Sequence, residues 1–301
     1  MATLKNSLYI LIGACSYGIL ASIVKLGYKA GYSVHEITGS QYLFGLLLLL
    51  IVSPFFKRTK ITLKQVGSLM LTGTALSLTG IFYGLSLAKN PASIAVVLLF
   101  QFTWICILIE SLYMKKKPTR DKLLSIAFLL IGTVLASNLT TEGIHSIQAD
   151  GLIYGLISAL CFAVFIFASG KVATEVSTIQ RSLFITLGGL IIILLTFSPT
   201  FITSGILFDG LWKYALLTSL FGVIFPIVFY ALGAPKLDGG LTTIIGSAEL
   251  PAAVVAAVVI LNERISALQV LGIVAILIGI GIPQLRSLTL LSKSKSQKLT
   301  T

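Results

Sequence analysis

The residues with the clearest capacity for chemistry lie in one apolar stretch near the end of the chain. Glu249 and Pro251 sit inside an apolar run that extends from Thr242 to Leu261. A run of about 20 residues matches the helix that crosses a bilayer core. A charged carboxylate there costs about 2.5–3.5 kcal/mol on insertion scales, so it is usually turned inward and functional. Glu249 is therefore a candidate for cargo binding or proton coupling, although one structural partner would also explain it.

Small residues surround this carboxylate on the predicted helix. The positions three, four and seven away from Glu249 share its face, and they are Ile245, Gly246, Ala252, Ala253 and Ala256. Gly and Ala permit either close helix packing or an open space beside the carboxylate. Pro251 removes a backbone donor and predicts a kink in the same helix.

The composition identifies the broad class of protein. Of the 301 residues, 56% are hydrophobic and 11% are charged, against roughly 25% charged in soluble domains. The mean hydropathy is +1.01. A net charge of +12 would suggest nucleic acid for a soluble protein, but these cations lie in short connectors between apolar runs. The sequence predicts a polytopic all-α membrane protein with no nucleic-acid partner.

Ten transmembrane helices are predicted from the apolar runs. Their approximate bounds are 7–26, 36–55, 65–87, 92–113, 123–139, 151–170, 178–197, 211–233, 241–261 and 266–283. They divide into a first five-helix repeat at 1–145 and a second at 146–285. The Lys-containing segment 286–301 is expected to be a disordered basic cytoplasmic tail.

The distribution of cations predicts the orientation. With the N-terminus in the cytoplasm, only Lys25, Lys29, Lys89, Lys213 and Arg264 fall outside, and the other 17 of the 22 Lys and Arg fall inside. Short cytoplasmic loops carry such an excess of positive charge. We therefore expect a multi-pass protein of the cell (plasma) membrane with both termini in the cytoplasm.

The two halves of the chain resemble each other. Phe82-Tyr-Gly-Leu-Ser-Leu-Ala-Lys89 matches Phe229-Tyr-Ala-Leu-Gly-Ala-Pro-Lys236 at an offset of 147 positions, and Leu130-Ile-Gly132 matches Leu277-Ile-Gly279 at the same offset. Several matches in register indicate a duplication. Because each half holds an odd number of spans, the two repeats must be inverted in the membrane, as in many transporters.

Three motifs carry a resemblance to a known family. The chain has Glu249-Leu-Pro251, then Leu261-Asn-Glu-Arg264, then a helix with Gly272 and Gly279-Ile-Gly281. With ten spans in two repeats, these features resemble the drug/metabolite transporter (DMT) superfamily, EamA type. The resemblance covers about residues 5–285 and implies secondary transport of small organic metabolites, often export, through a central cavity.

Polar and aromatic residues in the middle of spans complete the candidate substrate site. Besides Glu249 they are Gln101, Trp104, Tyr83, Tyr230, Tyr17 and Gln41. Gln101 and Trp104 lie three apart on one helix face, and Tyr83 and Tyr230 occupy equivalent positions in the repeats, so inversion would bring the two tyrosines to one cavity. Packing would explain each aromatic residue taken alone. Pro226 and Pro251 are candidates for helix kinks or gating near the cavity.

Other ionisable residues receive structural interpretations. Glu110 lies close to Lys115-Lys-Lys117, so we expect it to pair or snorkel at the cytoplasmic boundary. Glu263 and Arg264 are expected to cap helix ends. His35 and His145 both lie in connectors.

An enzyme is not expected, because intramembrane His and a nucleophile beside a base are both missing. No catalytic residue, metal site or cofactor is predicted either.

The sequence therefore favours a secondary active transporter that exports amino acids or related compounds, with protons as a candidate coupling ion. The expected partners are the small-molecule substrate and the lipid bilayer, and the protein would be a monomer or homodimer. Two alternatives stay open: a multidrug or cation efflux antiporter in which Glu249 is the counter-charge, and a passive, channel-like facilitator.

Overall fold

The fold is built from helices. The computed structural model describes residues 2–90, 92–136, 148–197, 199–262 and 265–299, and all regular elements in these ranges are helical. The predicted connector 139–150, with His145, and the pair Glu263 and Arg264 fall wholly or largely outside the described residues.

The described residues form fourteen α-helices, which are numbered in chain order. They are α1 Ala2–Lys29, α2 Val34–Val52, α3 Leu63–Lys89, α4 Ala92–Leu99, α5 Phe102–Met114, α6 Arg120–Ala136, α7 Ala149–Lys171, α8 Thr178–Thr196, α9 Thr200–Thr203, α10 Trp212–Ser219, α11 Phe225–Gly233, α12 Gly239–Gly246, α13 Glu249–Leu261 and α14 Ala267–Leu299. Two π-helical turns, Leu207–Leu211 and Leu220–Ile224, flank α10.

Eight helical stretches in the described part are long and apolar enough to cross a membrane, judged by length and composition. They account for eight of the ten predicted spans. The other two correspond to α6, with 17 residues, and to the apolar part of α14, Ala267–Pro283. At 1.5 Å per residue a 17-residue helix is about 25 Å long, which is shorter than a bilayer core of about 30 Å.

The duplication is visible in the helix boundaries. The bounds of α4 and α5 recur 147 positions later as the bounds of α12 and α13. Lys115 after α5 and Asn262 after α13 both adopt left-handed backbone conformations, with φ of 53° and 55°. Helices that begin, break and end at equivalent positions agree with the two sequence repeats.

Equivalent helices also pack in matched pairs. Helix α3 of the first repeat packs against α7 of the second, and the equivalent contact joins the chain from α10 to α11 of the second repeat to α1 of the first. Helices α6 and α14 pack against each other, and a Cβ added at Gly132 would lie 2.7 Å from the Gly272 carbonyl oxygen. Further along, Gly279 faces the carbonyl of Ser125. Because residue numbers rise along one helix as they fall along the other, these equivalent helices run antiparallel, as inverted repeats require.

The last helix differs from the expectation. The sequence predicts a disordered tail from 286, whereas α14 continues through Pro283 to Leu299. Leu, Lys and Gln are common in this segment and have high helix propensity, which accounts for a helix here. The side chains beyond residue 283 lie outside the described residues.

Candidate functional site

Two spans change their hydrogen bonding at equivalent points near the middle. Between α4 and α5, Gln101 N–H donates to the Leu98 carbonyl and Thr103 N–H donates to the Phe100 carbonyl. The repeat symmetry predicts equivalent hydrogen bonds 147 positions later in the second repeat, and the structure has them. Ala248 N–H donates to Ile245, and Leu250 N–H donates to Ser247, the latter at 3.3 Å. These i to i+3 bonds form a tight 3₁₀-type turn, which inside a helix often marks a hinge.

Pro251 explains the break in the second repeat. Proline has no N–H, so it cannot donate to the carbonyl of Ser247 four residues earlier, and that carbonyl accepts from Leu250 instead. Pro251 is thus the third residue of α13, directly after the break. In the first repeat Trp104 occupies the position equivalent to Pro251. The sequence around the first break therefore contains no proline that would predict it.

Glu249 is the first residue of α13. Its carboxylate atom Oε2 is buried and has no hydrogen-bond partner among the described residues. Helix α1 passes very close by, because a Cβ added at Gly18 would lie 2.5 Å from the Glu249 carbonyl oxygen and 2.6 Å from the Ala253 nitrogen. The small residues around Glu249 therefore permit close packing against α1. The carboxylate also lies at the positive end of the α13 dipole.

Tyr230 and Tyr17 add two more buried oxygens without partners. Both phenolic oxygens are buried and unpaired among the described side chains. The two rings are 6.5 Å apart between centroids. The Tyr230 hydroxyl faces Gly246, since a Cβ added there would lie 2.8 Å from it. Phe162 and Phe165 pack against this pair, with centroids 6.1 Å from Tyr17 and 6.0 Å from Tyr230 respectively.

These residues form one cluster with Glu249. Tyr17, Tyr83 and Tyr230 each lie within electrostatic range of the Glu249 carboxylate. We call Glu249, Tyr17, Tyr83 and Tyr230 the central polar cluster. It joins spans from both repeats, and it combines a carboxylate and hydroxyl groups with aromatic walls. Such a set can bind an amino group, a proton or an organic cation.

The structure gives the other three predicted site residues different partners. Trp104 Nε1–H donates to Gln101 Oε1 at 2.8 Å, and Gln101 Nε2 donates to the Val97 carbonyl at 2.9 Å. Trp104 is 38% exposed. Gln41 is a buried residue of α2, and its Nε2 faces Gly222. A substrate role for Gln101, Trp104 and Gln41 stays a prediction.

Pro226 lies at a second irregular point. It is the second residue of α11 and directly follows the π-helical turn Leu220–Ile224. Proline in the first helical turn leaves no intrahelical donor bond unmade, and π-turns often accompany functional sites. A gating role for Pro226 and Pro251 stays a prediction.

Glu110 occupies a site that sequence reasoning described incompletely. It is buried, and its carboxylate accepts hydrogen bonds from Gly239 N–H at 2.8 Å and Gly240 N–H at 3.0 Å. Lys122 Nζ lies 2.8 Å from Glu110 Oε2 and 2.7 Å from Asp238 Oδ1. The expected pairing is present, but the lysine is Lys122 and not one of the Lys115–Lys117 cluster. Glu110 thus links the end of α5 to the start of α12.

Arg181 is a buried cation, although the sequence indicates it only as one of the 17 Lys and Arg on the cytoplasmic side. It is 1% exposed. Its guanidinium donates to the Ala231 carbonyl at 2.8 Å and the Ser169 carbonyl at 2.6 Å. Both carbonyls lie in the last turns of α11 and α7, where the helix dipole favours a positive charge. Arg181 therefore holds two helix ends together.

Among the described residues, no group of three or more His, Cys, Asp and Glu side chains could hold a metal ion. The groups that could bind a ligand are those of the central polar cluster, and the helix breaks lie beside it. A bundle of apolar helices with paired breaks and a buried polar centre is the architecture of a membrane carrier.

Comparison with known families assigns the class directly. The family model of the EamA-like transporter family matches residues 4–138 and again residues 149–282. The chain belongs to the EamA-like transporter family. The resemblance to the DMT superfamily is confirmed, and the protein is a multi-pass membrane transporter, in a family of transporters and not of enzymes.

Other comparisons concern the fold. Among solved structures 29 chains are similar. One is titled only as the crystal structure of a protein. It has a TM-score of 0.70 and 16% sequence identity, and the match covers 94% of this chain and 97% of the other. At that identity the likeness shows the fold alone. No curated protein matches the sequence.

Proposed function

We propose that this protein is a secondary active transporter that exports amino acids or related small metabolites across the cell membrane and couples export to protons. It would have ten spans in two inverted five-helix repeats, with both termini in the cytoplasm. The observation that carries the proposal is the buried Oε2 atom of Glu249, which has no hydrogen-bond partner among the described residues, together with the Tyr17 and Tyr230 hydroxyls in the same condition.

Unpaired buried polar atoms favour a site that binds a ligand. A buried polar group without a hydrogen bond destabilises the protein, so three such oxygens in one place need a compensating role. A protonated amino group would satisfy the Glu249 carboxylate, and the tyrosine hydroxyls can donate to a carboxylate or accept from an amine. An amino acid carries both groups.

Proton coupling follows from competition for one carboxylate. Glu249 can bind either a proton or the cationic group of the cargo, but not both at the same oxygen. If each occupant permits the central cluster to face the other side, the inward movement of protons drives the outward movement of cargo. The 3₁₀-type turns at both breaks are suitable points for that change of conformation.

Accumulation in proteoliposomes tests this function. Vesicles with an acidic lumen would be supplied with a panel of radiolabelled amino acids, and empty vesicles with the same pH difference serve as the control. We expect at least one amino acid to rise inside above its external concentration, and to equilibrate when the pH difference is collapsed. Accumulation of none of the panel would contradict amino acid export. Equilibration without accumulation would instead indicate a passive facilitator.

A second candidate cargo is an organic cation. The observation that favours it is the aromatic wall of Tyr17, Phe162, Phe165 and Tyr230 around a carboxylate, since cations bind the faces of aromatic rings. Tetraphenylphosphonium in the same vesicle assay separates the two possibilities. Its pH-driven accumulation, with no movement of amino acids, would assign the protein to cation efflux.

A further inference from the structure

The two ends of the helix bundle differ in how tightly the broken spans pack. Helix α5 packs against α12 at the end that contains Lys122 and Asp238. Cys106, Ile107 and Glu110 on α5 are all buried, with exposed fractions of 0%, 3% and 7%. This end of the bundle is closed.

The equivalent contact at the opposite end is looser. By the repeat symmetry, α4 should pack against α13 as α5 packs against α12, but no comparable packing joins α4 and α13 in the described residues. The counterparts of Cys106, Ile107 and Glu110 on α13 are Ala253, Val254 and Ala257, and all three are only half-buried. The two ends therefore differ among the described residues: α5 is packed against α12, whereas the equivalent face of α13 is less buried and makes no comparable contact with α4.

Polar bonds hold the closed end together. Glu110 accepts from the first two N–H groups of α12, at Gly239 and Gly240, while Lys122 bridges Glu110 and Asp238. Asp238 in turn caps α12 by accepting from Leu241 N–H at 2.7 Å. The three charged side chains tie α5, α6 and α12 into one unit.

The three ion-paired residues have no charged counterparts at the equivalent positions of the repeats. Ala257, Gln269 and Pro91 correspond to Glu110, Lys122 and Asp238. These equivalent positions are thus charged at one end only, which is the end that the distribution of Lys and Arg predicts to be cytoplasmic.

We propose that Glu110, Lys122 and Asp238 form a cytoplasmic gate that keeps this end closed while the opposite end is open. Separation of α5 from α12 must break the contacts of Glu110 and expose the first turn of α12, so opening of this end is coupled to loss of the ion pairs. Removal of one partner leaves the other charges without compensation. The gate rests on the carrier mechanism proposed above, but its test measures accessibility and does not need a known cargo.

Cys106 is a native reporter for the gate. Its side chain is fully buried, and its Sγ lies 3.6 Å from the Gly239 carbonyl oxygen, beside the Glu110 contact. In a Cys15→Ala/Cys161→Ala background Cys106 is the remaining cysteine. A membrane-impermeant maleimide applied to either face of oriented vesicles then reports whether this end opens. Lys117→Cys, in the same background with Cys106→Ala, identifies the vesicle face that carries the lysine-rich connector.

The gate predicts faster labelling of Cys106 from that face in Lys122→Met. We expect the rate to rise about tenfold or more, as a shift of the closed and open populations requires. Asp238→Asn, which leaves Lys122 and Glu110 together, should give a smaller rise in the same direction. Lys117→Met, at an exposed lysine of the same connector, should leave the rate unchanged.

Two outcomes would overturn the proposal. In the first, Cys106 is labelled at the same rate in Lys122→Met and Asp238→Asn as in the parent protein, while each variant elutes as a single folded species. The other is faster labelling from the opposite face. If Lys122→Met does not insert, the Asp238→Asn result decides alone. A failure to find any cargo leaves these labelling results intact, so the gate and the transport function can fail separately.

Discussion

Three buried oxygens in the centre of the molecule, from Glu249, Tyr17 and Tyr230, have no partner among the described residues. Each such group destabilises the fold by roughly 1–3 kcal/mol. A packed interior formed only for stability would replace them with apolar side chains. Their presence together indicates a site whose missing partner is a ligand or a proton.

Tyr230→Phe should separate stability from transport. The substitution removes a buried, unpaired hydroxyl and keeps the ring, so the melting temperature in detergent should stay equal or rise. Transport of the cargo found in the vesicle assay should fall by about tenfold, the equivalent of one lost hydrogen bond. Tyr154→Phe, at a ring that stacks on Phe82, is the matched control. A large drop in melting temperature with normal transport would show that the hydroxyl is structural.

At this scale the sequence carries information where one helix or the repeat symmetry is enough. Glu249 stands out as a carboxylate in an apolar span, and Tyr83 and Tyr230 stand out as equivalent positions. Glu110 could be named only as a boundary charge, because its contacts with Lys122 and the start of α12 depend on how distant spans pack. The burial of Arg181 could not be predicted for the same reason.

The broken spans and α1 are the elements that shape the site. The 3₁₀-type turns place the start of α5 and the start of α13 in the middle of the bundle. Gly18 lets α1 approach the first turn of α13 so closely that any side chain would collide with its backbone. The position of Glu249 is therefore fixed by a helix contact as well as by the break.

Gly18→Ala tests this contact. The new Cβ would lie 2.5 Å from the Glu249 carbonyl oxygen and 2.7 Å from the Ala252 Cβ, so α1 and α13 must separate. Overpacking of this kind costs about 1–3 kcal/mol, and we expect a lower melting temperature together with weaker transport.

Gly84→Ala provides the matched control for that substitution. A Cβ at Gly84 meets open space, and Ala has a higher helix propensity than Gly, so its stability should stay equal or increase. Equal melting temperatures and equal transport for Gly18→Ala and the parent protein would contradict the close approach of α1 to α13.

The helices could be predicted from the sequence, but only one of the two helix breaks could. Apolar length predicts ten spans. The described residues have helical segments in each of these ranges, and eight of those stretches are long and apolar enough to cross a membrane. Pro251 signalled an irregularity in the second repeat, although the break lies just before it. The break at Phe100 and Gln101 has no Gly or Pro, because there the surrounding packing and not local propensity decides the backbone.

At the scale of the whole molecule, duplication explains the arrangement. Helices α1, α4, α5 and α6 begin 147 positions before α7, α12, α13 and α14, and α6 runs antiparallel to its counterpart α14. In the proposed arrangement of two inverted five-helix repeats, the central polar cluster would lie at their interface, because Tyr17 and Tyr83 belong to one repeat and Tyr230 and Glu249 to the other.

Reporter fusions test the proposed orientation. Fusions after Lys117 and after Lys298 should both report the cytoplasm, and a fusion near Thr141 should report the exterior, because 17 of the 22 Lys and Arg are assigned to the inside. A cytoplasmic signal at Thr141 would refute ten spans with both termini inside.

Glu249→Gln, assayed in proteoliposomes with and without an imposed pH difference, tests the central claim most directly. Gln has nearly the same size and can hydrogen-bond but cannot ionise, so the variant should fold and lose pH-driven accumulation of the cargo. If the amide of the variant still binds the cargo, exchange of labelled for unlabelled cargo across the membrane should persist. That result would show that Glu249 is needed for proton coupling and not for cargo binding. The account predicts wild-type accumulation that collapses in Glu249→Gln. Unchanged pH-driven accumulation in the variant would contradict it.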